Sequence, residues 1–294
     1  MTGISIKQAL RMASHAIAGS DTVQLDAELL LAAALGKSRT YLYTWPEQVL
    51  SPSERSYFES VLERRVMGEP VAYILGTRDF WTLTLRVNRH VLIPRPETEL
   101  LVETALALVT TPDACIADLG TGSGAIALSI ASERPAWKVV ATDMSGAALT
   151  VASDNASLLN IANVEFRQGS WCEALPAMLF DLIVSNPPYI NSTDPHLTLG
   201  DLRFEPRSAL VAADDGLADI RALCSQAPHC LKPGGWLLLE HGWTQGATVM
   251  AILQQNHFEA VRTLKDLNGN DRVTLGRKGQ CNTVAMMAIA SVEE

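Results

Sequence analysis

Hydrophobic positions change period along the chain, and the changes mark its elements. Over residues 4–67 apolar residues recur at helical spacing. Asp21 is placed to cap a helix whose Leu25, Leu29 and Ala32 or Ala33 share one face, with Gly36 as its stop. Ser51-Pro52-Ser53-Glu54 is a capping box with proline at the first helical position, which predicts a helix running to Met67, where Gly68 and Pro70 break it. Trp81, Leu83, Leu85 and Val87 then alternate with Thr82, Thr84 and Arg86, the period-two mark of a half-buried strand. This predicts a hairpin around residues 77–93 that bridges two domains. Pro94 and Pro96 impose an extended path before helical periodicity resumes at 97–109.

From Cys115 the texture becomes strands alternating with helices. Short apolar runs at 115–119, 138–142, 164–167, 180–185 and 236–240, separated by amphipathic segments, predict a mostly parallel, doubly wound α/β sheet. Two later runs, 258–264 and 271–276, are joined through Asn268-Gly269-Asn270 and predict an antiparallel pair at the sheet edge. The resulting plan is a helical N-terminal domain over 1–75, a β-hairpin linker over 76–93, an α/β domain over 94–277, and a tail over 278–294 to which no role is assigned.

Composition narrows the class. The 294 residues are 48% hydrophobic and 19% charged, with 19 Gly and 14 Pro, which excludes fibrous and disordered chains. Five cysteines (Cys115, Cys172, Cys224, Cys230, Cys281) are odd in number, scattered and never spaced CxxC, so reduced thiols are expected rather than disulfides or a metal site. The longest apolar run, 29–35, is seven residues, against the roughly 20 that cross a bilayer. The N-terminus lacks the apolar stretch of a secretory signal, so a cytoplasmic location without a membrane partner is expected. A net charge of -9 argues against nucleic acid as a partner, because Lys and Arg supply most non-specific affinity for phosphate. The acidity is uneven: residues 1–90 carry ten Lys/Arg against nine Asp/Glu, the remainder thirteen against twenty-three.

Two constellations carry chemistry. Asp118-Leu119-Gly120-Thr121-Gly122-Ser123-Gly124 follows a predicted strand and opens a predicted helix. Its glycines let backbone approach a ligand, and the helix N-terminus offers free N–H groups. With Ala125 the loop also matches the relaxed G-x-G-x-x-[GA] of dinucleotide-binding folds. Asp143, 19 residues beyond Gly124, ends the second strand, where a carboxylate can accept hydrogen bonds from both hydroxyls of a ribose. Together they imply an adenosine-containing ligand. Asn186-Pro187-Pro188-Tyr189 follows the fourth strand and therefore faces the same crevice. Its successive prolines hold the Asn186 side chain and the Pro187 carbonyl in fixed directions.

At this point the chain resembles class I S-adenosylmethionine-dependent methyltransferases that act on a planar amino nitrogen. Thr77-Arg78-Asp79-Phe80-Trp81, Leu92-Ile93-Pro94-Arg95-Pro96-Glu97-Thr98-Glu99 and Arg203-Phe204-Glu205-Pro206, with the helical N-terminal domain, narrow the resemblance to the HemK/PrmC family, the glutamine-N5 methyltransferases of peptide chain release factors. It covers residues 5–277. The resemblance implies a Rossmann-like seven-stranded domain preceded by a small helical domain and joined to it through a β-hairpin. It implies that Gly120, Thr121, Gly122, Ser123 and Gly124 hold the methionine part of S-adenosyl-L-methionine, Asp143 the ribose and Trp171 the adenine, with Asn186 also at the cofactor. Ser170 stands where many relatives carry an acidic residue. Asn186, Pro187, Pro188 and Tyr189 would bind the glutamine of a Gly-Gly-Gln loop in class 1 release factors, and the N-terminal helices would dock that partner.

These residue types suit the chemistry. An amide nitrogen is a poor nucleophile because its lone pair is delocalised. Acceptance of its two N–H bonds by the Asn186 side-chain oxygen and the Pro187 carbonyl would orient it and stabilise the charge that develops on it. Tyr189 would pack against the amide plane, and neither a metal nor a dedicated base is called for. Arg95, Glu97 and Glu99 are candidates for the substrate entrance. Arg203 and Glu205 are expected to order a loop, His241 to be structural, and Trp45, Trp81, Trp236 and Trp243 to anchor packing. The alternatives are an adenine-N6 or other nucleic-acid amino-methyltransferase, an idle cofactor-binding module, and, last, a nicotinamide-dependent dehydrogenase.

Overall fold

The computed structural model describes residues 3–17 and 19–280, so Cys281 and most of the unassigned tail lie outside the described residues. The described chain forms two compact units. The first contains residues up to Arg78, Val87–Arg89 and Asp194–Glu205. Its helices are α1 (Ile6–Ala16), α2 (Val23–Leu35), α3 (Arg39–Thr44), α4 (Pro52–Val66) and α5 (Val71–Leu75). The capping box foreseen at Ser51 is present, with the Ser51 hydroxyl accepting from the Glu54 N–H and the Glu54 carboxylate accepting from the Ser51 N–H.

Two local expectations for this unit need correction. Asp21 does not cap α2: Thr22 occupies that position and makes no side-chain cap bond. Nor do Leu25 and Leu29 form its inner face, since Leu25 is exposed and the buried apolar residues are Ala27, Leu30, Leu31, Ala32 and Leu35. The apolar run 29–35 leaves α2 with no single apolar stripe, so the sequence could not fix its rotation. The rotation brings Asp26 and Glu28 inward, where Arg65 and Arg39 pair with them. Beyond Gly68 and Pro70 the chain resumes as α5, whose Ile74 joins the core of Ile6, Leu30, Leu31, Leu42 and Phe58.

The second unit holds Asp79–Arg86, His90–Thr193 and the chain from Pro206. Strands β1 (Thr77–Phe80) and β2 (Leu83–Arg86) make a hairpin. Trp81, expected within the strand, lies in its turn with φ 56, and its indole N–H donates to Glu133 at 2.8 Å. After α6 (Glu99–Leu108) come β3 (Cys115–Leu119), α7 (Ala125–Glu133), β4 (Lys138–Asp143), α8 (Gly146–Leu158), β5 (Val164–Gln168) and β6 (Phe180–Ser185). Short strands β7 (Ile190–Asn191) and β8 (Val211–Ala212) pair apart from the main sheet. The turn α9 (Ala213–Gly216), α10 (Ala218–Cys230), β9 (Leu231–Glu240), α11 (Gly246–Gln255), β10 (Phe258–Lys265) and β11 (Asp271–Lys278) complete it.

The main sheet has seven strands in the order β10-β11-β9-β6-β3-β4-β5. Strands β9, β6, β3, β4 and β5 run parallel, and β10 and β11 form the foreseen antiparallel pair, β11 lying against β9. Because both faces of the inner strands β3 and β6 are covered, their sequences read as nearly continuous apolar runs, whereas the edge strand β5, VEFRQ, does not. Alternate side chains serve the two cores: Ile116, Leu182, Val184 and Leu238 on one face, Ala117, Leu119, Ile183, Leu237 and Leu239 on the other. Ladders pairing Leu119 with Thr142 and Ser185, and Ser185 with Leu239, align the C-terminal strand ends along one edge. Among the described residues no helix is long and apolar enough to cross a membrane.

Candidate active site

That aligned edge opens into a cavity. Gly120, Thr121, Gly122, Ser123, Asp143, Trp171, Asn186 and Pro188 line it, so eight of the residues singled out from sequence meet on one surface. Gly124, Pro187 and Tyr189 are not in the lining.

The glycine loop is fixed from both ends. The N–H groups of Gly120 and Thr121 both donate to the Thr142 carbonyl at 2.9 Å, and Gly122 N–H donates to Asp143 Oδ2 at 2.9 Å. Asp143 Oδ1 accepts from Ser145 N–H at 2.8 Å, so backbone donors orient the whole carboxylate at the cavity wall. Asp118 lies beneath and is fully buried; its Oδ2 accepts from the Thr121 hydroxyl at 2.6 Å and from Ala127 N–H at 3.1 Å. It thereby caps α7, whose N-cap position is a glycine without a side chain to do so. Burial pushes the Asp118 carboxyl up to about 7, against the pull of those two donors.

Gly124 is needed for packing. It has φ 85, and a Cβ there would stand 2.9 Å from Leu128 Cδ1 and 3.3 Å from Ala152 Cβ. Gly124→Ala is expected to lower stability by about 1–3 kcal/mol through strain and overpacking, which a shifted thermal midpoint would show; an unshifted one would count against this reading.

Trp171 sits at φ 42 after β5, with its indole 3.2 Å from where a Gly120 Cβ would be. Asp219 lines the same cavity and is a residue that sequence reading missed. Burial raises the Asp219 carboxyl, and the polar edge of Trp171 opposes the rise.

The Asn186–Tyr189 segment is held from several sides. The Ser185 hydroxyl donates to the Leu119 carbonyl at 2.6 Å, tying together the strand ends from which both functional loops depart. Asn186 Nδ2 donates to the Thr98 hydroxyl at 3.3 Å. The Tyr189 carbonyl accepts from Gln245 Nε2 at 3.1 Å, and Gly216 passes so close that a Cβ would lie 2.2 Å from that carbonyl oxygen. The Tyr189 hydroxyl donates to Glu240 Oε1 at 3.4 Å, and burial raises the phenol strongly.

Sequence reading singled out neither Thr98 nor Glu240, the partners of the two ends of the Asn186–Tyr189 segment. Thr98 lies within a quoted motif and lines the cavity. Glu240 ends the apolar run 236–240, and a carboxylate closing a strand buried on both faces is the signal that could have singled it out. Burial pushes it up to about 7; Thr98, Arg272 and Tyr189 pull it back.

Other candidates fall outside the cavity. His241 is fully buried between the Gly242 carbonyl and the Thr274 hydroxyl, a structural placement as expected. Glu99 accepts from Trp81 N–H at 2.8 Å and so secures the hairpin turn, whereas Arg95 lines the cavity. Arg203 donates to the Met67 carbonyl at 3.1 Å and Glu205 is buried, consistent with an ordered loop. Trp81 and Trp236 pack on the core, but Trp45 and Trp243 are 55% and 64% exposed and do not anchor packing.

Comparison with known proteins places this geometry. A family model described as "PrmC N-terminal domain" matches residues 8–76, and one described as "Methyltransferase small domain" matches residues 96–204. A release factor glutamine methyltransferase from Vibrio cholerae is 50% identical over 277 residues, 93% of this chain and 97% of that protein. Its counterpart from Pseudomonas aeruginosa is 54% identical over 258 residues, 88% of this chain and 94% of that protein. Among solved structures, a methyltransferase from Pyrococcus furiosus shares the fold at TM-score 0.53 and 18% identity, covering 75% of this chain and 99% of its own. Identity of 50% over 93% of this chain and 97% of the Vibrio cholerae protein is membership rather than likeness, and the chain belongs to the release factor glutamine methyltransferases.

Proposed function

We infer that this chain methylates the side-chain amide nitrogen of a release-factor glutamine with S-adenosylmethionine as donor, and that the glutamine is that of the Gly-Gly-Gln loop in class 1 release factors. The observation that carries the reading is the convergence of the Asp143 carboxylate and Asn186 on one cavity at the sheet's C-terminal edge.

The residues fit that cofactor. Asp143 offers its remaining lone pairs to the two ribose hydroxyls, the glycine loop leaves open space beside Gly122 for the methionine part, and Trp171 gives the adenine an aromatic wall. Bound S-adenosylmethionine supplies a methyl group already made electrophilic by the sulfonium.

The chain's own task is to present the nitrogen. With Asn186 Nδ2 donating to Thr98, Asn186 Oδ1 remains to accept one substrate N–H. The Pro187 carbonyl accepts the other, so the amide is turned with its nitrogen toward the methyl group. Both acceptors are preorganised and stabilise positive charge as it grows on nitrogen. Positioning at close approach supplies the rest of the acceleration. Tyr189, fixed by Gln245 and Glu240, braces the segment from outside the cavity. Adenine-N6 methylation, which the same motif would suit, finds no support in a net charge of -9, and no direct nucleic-acid contact is proposed. We place the reaction in the cytoplasm, where release factors act.

The first unit is proposed to dock the release factor. Tyr43, Trp45 and Val49 are each more than half exposed on it, and apolar residues left in water on a small unit mark contact surfaces. Trp45→Glu is expected to raise KM for the release factor at least about tenfold, the scale of one interface anchor, with cofactor affinity unchanged; an unaltered KM would remove Trp45 from the docking surface. The function itself is tested by mass spectrometry of an unmethylated release factor incubated with the protein and S-adenosylmethionine. One methyl on the Gly-Gly-Gln glutamine is expected, and no transfer to a competent factor, despite cofactor binding, would overturn the reading.

A further inference from the structure

We propose that Asp219 sets the base specificity of the nucleoside subsite: its carboxylate accepts the exocyclic amino N–H of the cofactor's adenine and disfavours a base with a carbonyl at that position. The inference rests on the reading of this cavity as the S-adenosylmethionine site.

An aromatic wall holds a purine by its face but does not tell one purine from another. Adenine presents an amino group at C6, a donor, where guanine and hypoxanthine present a carbonyl, an acceptor. A site that distinguishes them needs an acceptor at the edge of the base. An ionised carboxylate, which only accepts, is the strictest choice.

Two carboxylates line the cavity, those of Asp143 and Asp219. Asp143 is committed: Oδ2 accepts from Gly122 N–H, Oδ1 accepts from Ser145 N–H, and the remaining lone pairs serve the ribose in the reading above. Several uncharged groups of the lining are engaged as well. The Thr121 hydroxyl donates to Asp118 at 2.6 Å, the Ser145 hydroxyl caps α8 by accepting from Ala148 N–H at 3.2 Å, and Asn186 is paired with Thr98 at 3.3 Å. Asp219 is the carboxylate left for the base.

The fold places it beside the aromatic wall. Asp219 lies in the first turn of α10, and Gln226 stands on the same face of that helix, because the seven-residue step between them is about two turns. The Gln226 side-chain oxygen accepts from Cys172 N–H at 3.2 Å, so this face of α10 is laid against the turn Trp171–Ala174. The six-membered edge of the Trp171 indole is turned to the glycine loop, with Cζ3 3.2 Å from where a Gly120 Cβ would stand. Its five-membered edge therefore points away from that loop. Trp171 and Asp219 thus border one cavity from neighbouring elements, the first suited to the face of the base and the second to its edge. Asp219 is only partly exposed, and a hydrogen bond to a partly desolvated carboxylate is stronger than one made in open water.

The test is calorimetric binding of S-adenosylhomocysteine and S-inosylhomocysteine to the full chain, without turnover, at about pH 8, far above the ordinary aspartate range. The two ligands differ at C6, amino in one and carbonyl in the other. The wild type is expected to prefer the adenosyl ligand by about ten- to a hundredfold, the scale of a hydrogen bond to a charged group. Asp219→Ala should lose that factor for the adenosyl ligand and hold or gain affinity for the inosyl ligand, so that the preference collapses. Asp219→Asn, whose amide can turn either end to the base, should bind the two alike. Being nearly isosteric, it also keeps the test valid if the alanine variant does not fold.

Equal weakening of both ligands, which a purely structural role would give, overturns the proposal, as does a wild type that binds the two equally. The outcomes also separate this inference from the readings beneath it. A wild type that binds neither ligand rejects the cofactor site and the inference with it. Methylation of the release factor with a preference that survives both substitutions keeps the function and overturns the role of Asp219. A preference that depends on Asp219 in a protein that leaves the release factor unmethylated sustains the inference and rejects the substrate.

Discussion

Asn186→Ala should reduce methyl transfer to the release factor by about 10²–10³-fold, the effect of removing one preorganised charge-stabilising group from an active site. The side chain lines the cavity and is held by Thr98, so truncation removes both an acceptor for the substrate and the means of orienting it. The Pro187 carbonyl belongs to the backbone and survives the change, which is why a residual rate is expected. Cofactor affinity should fall far less, because Asp143 and the glycine loop are untouched. Single-turnover mass spectrometry with saturating S-adenosylmethionine isolates the step. A variant within tenfold of the wild type would mean that Asn186 is not the acceptor.

The second large effect is on stability. Arg65 is 8% exposed and reaches four groups: Asp26 at 2.8 Å, Asp201 at 2.8 Å, the Glu69 carbonyl at 3.1 Å and the Gly68 carbonyl at 3.5 Å. Asp26 is itself buried, with the hydroxyls of Ser20 and Thr22 as its remaining donors. Arg65→Ala would leave that carboxylate in the interior without its cation, a change that costs about 3–5 kcal/mol. The loss should appear as about 10²–10⁴-fold faster hydrogen exchange of the α2 and α4 amides, since one decade corresponds to about 1.36 kcal/mol. Asp201→Ala is expected to cost much less, because the Asp201 side chain is 43% exposed and water replaces its partner. Equal effects from the two variants would contradict the assignment of the buried pair as the source. Adding Asp26→Ala to Arg65→Ala should recover part of the loss, because removing both charges abolishes the orphan.

Asp201 belongs to the same compact unit as Arg65, although it lies 136 residues further along the chain and only twelve beyond Tyr189. Such a pairing has no local signature. The sequence shows an arginine near the end of a helix and an aspartate in a loop, and nothing in either spacing connects them. The same limit explains α2. Its capping Gly36 and length were legible, but a helix with seven successive apolar residues has no preferred face until the charges of Asp26 and Glu28 find Arg65 and Arg39 in space.

The cavity shows a similar division. Gly120, Asp143 and Asn186 are legible because each stands at a strand end with a residue type that ligand chemistry requires, and the parallel sheet must gather such ends on one edge, whereas Trp171 is legible only through the family resemblance. Gly124 was identified for the wrong neighbour: the motif marked a glycine, but the packing of Leu128 and Ala152 decides why only glycine fits. Trp45 and Trp243 were misread because a tryptophan's size favours burial, whereas its actual exposure depends on what else covers the site.

By itself the sequence determined the elements, the parallel sheet with its antiparallel edge, and the motif residues at the strand ends, because these follow from local periodicity and from backbone constraints acting over a few residues. Only the tertiary structure decided which polar groups meet: Arg65 with Asp26, Asp118 with Ala127, Thr98 with Asn186, and Tyr189 with Glu240. Hydrogen bonds and ion pairs act over about 3 Å, and that proximity exists only after distant segments have packed.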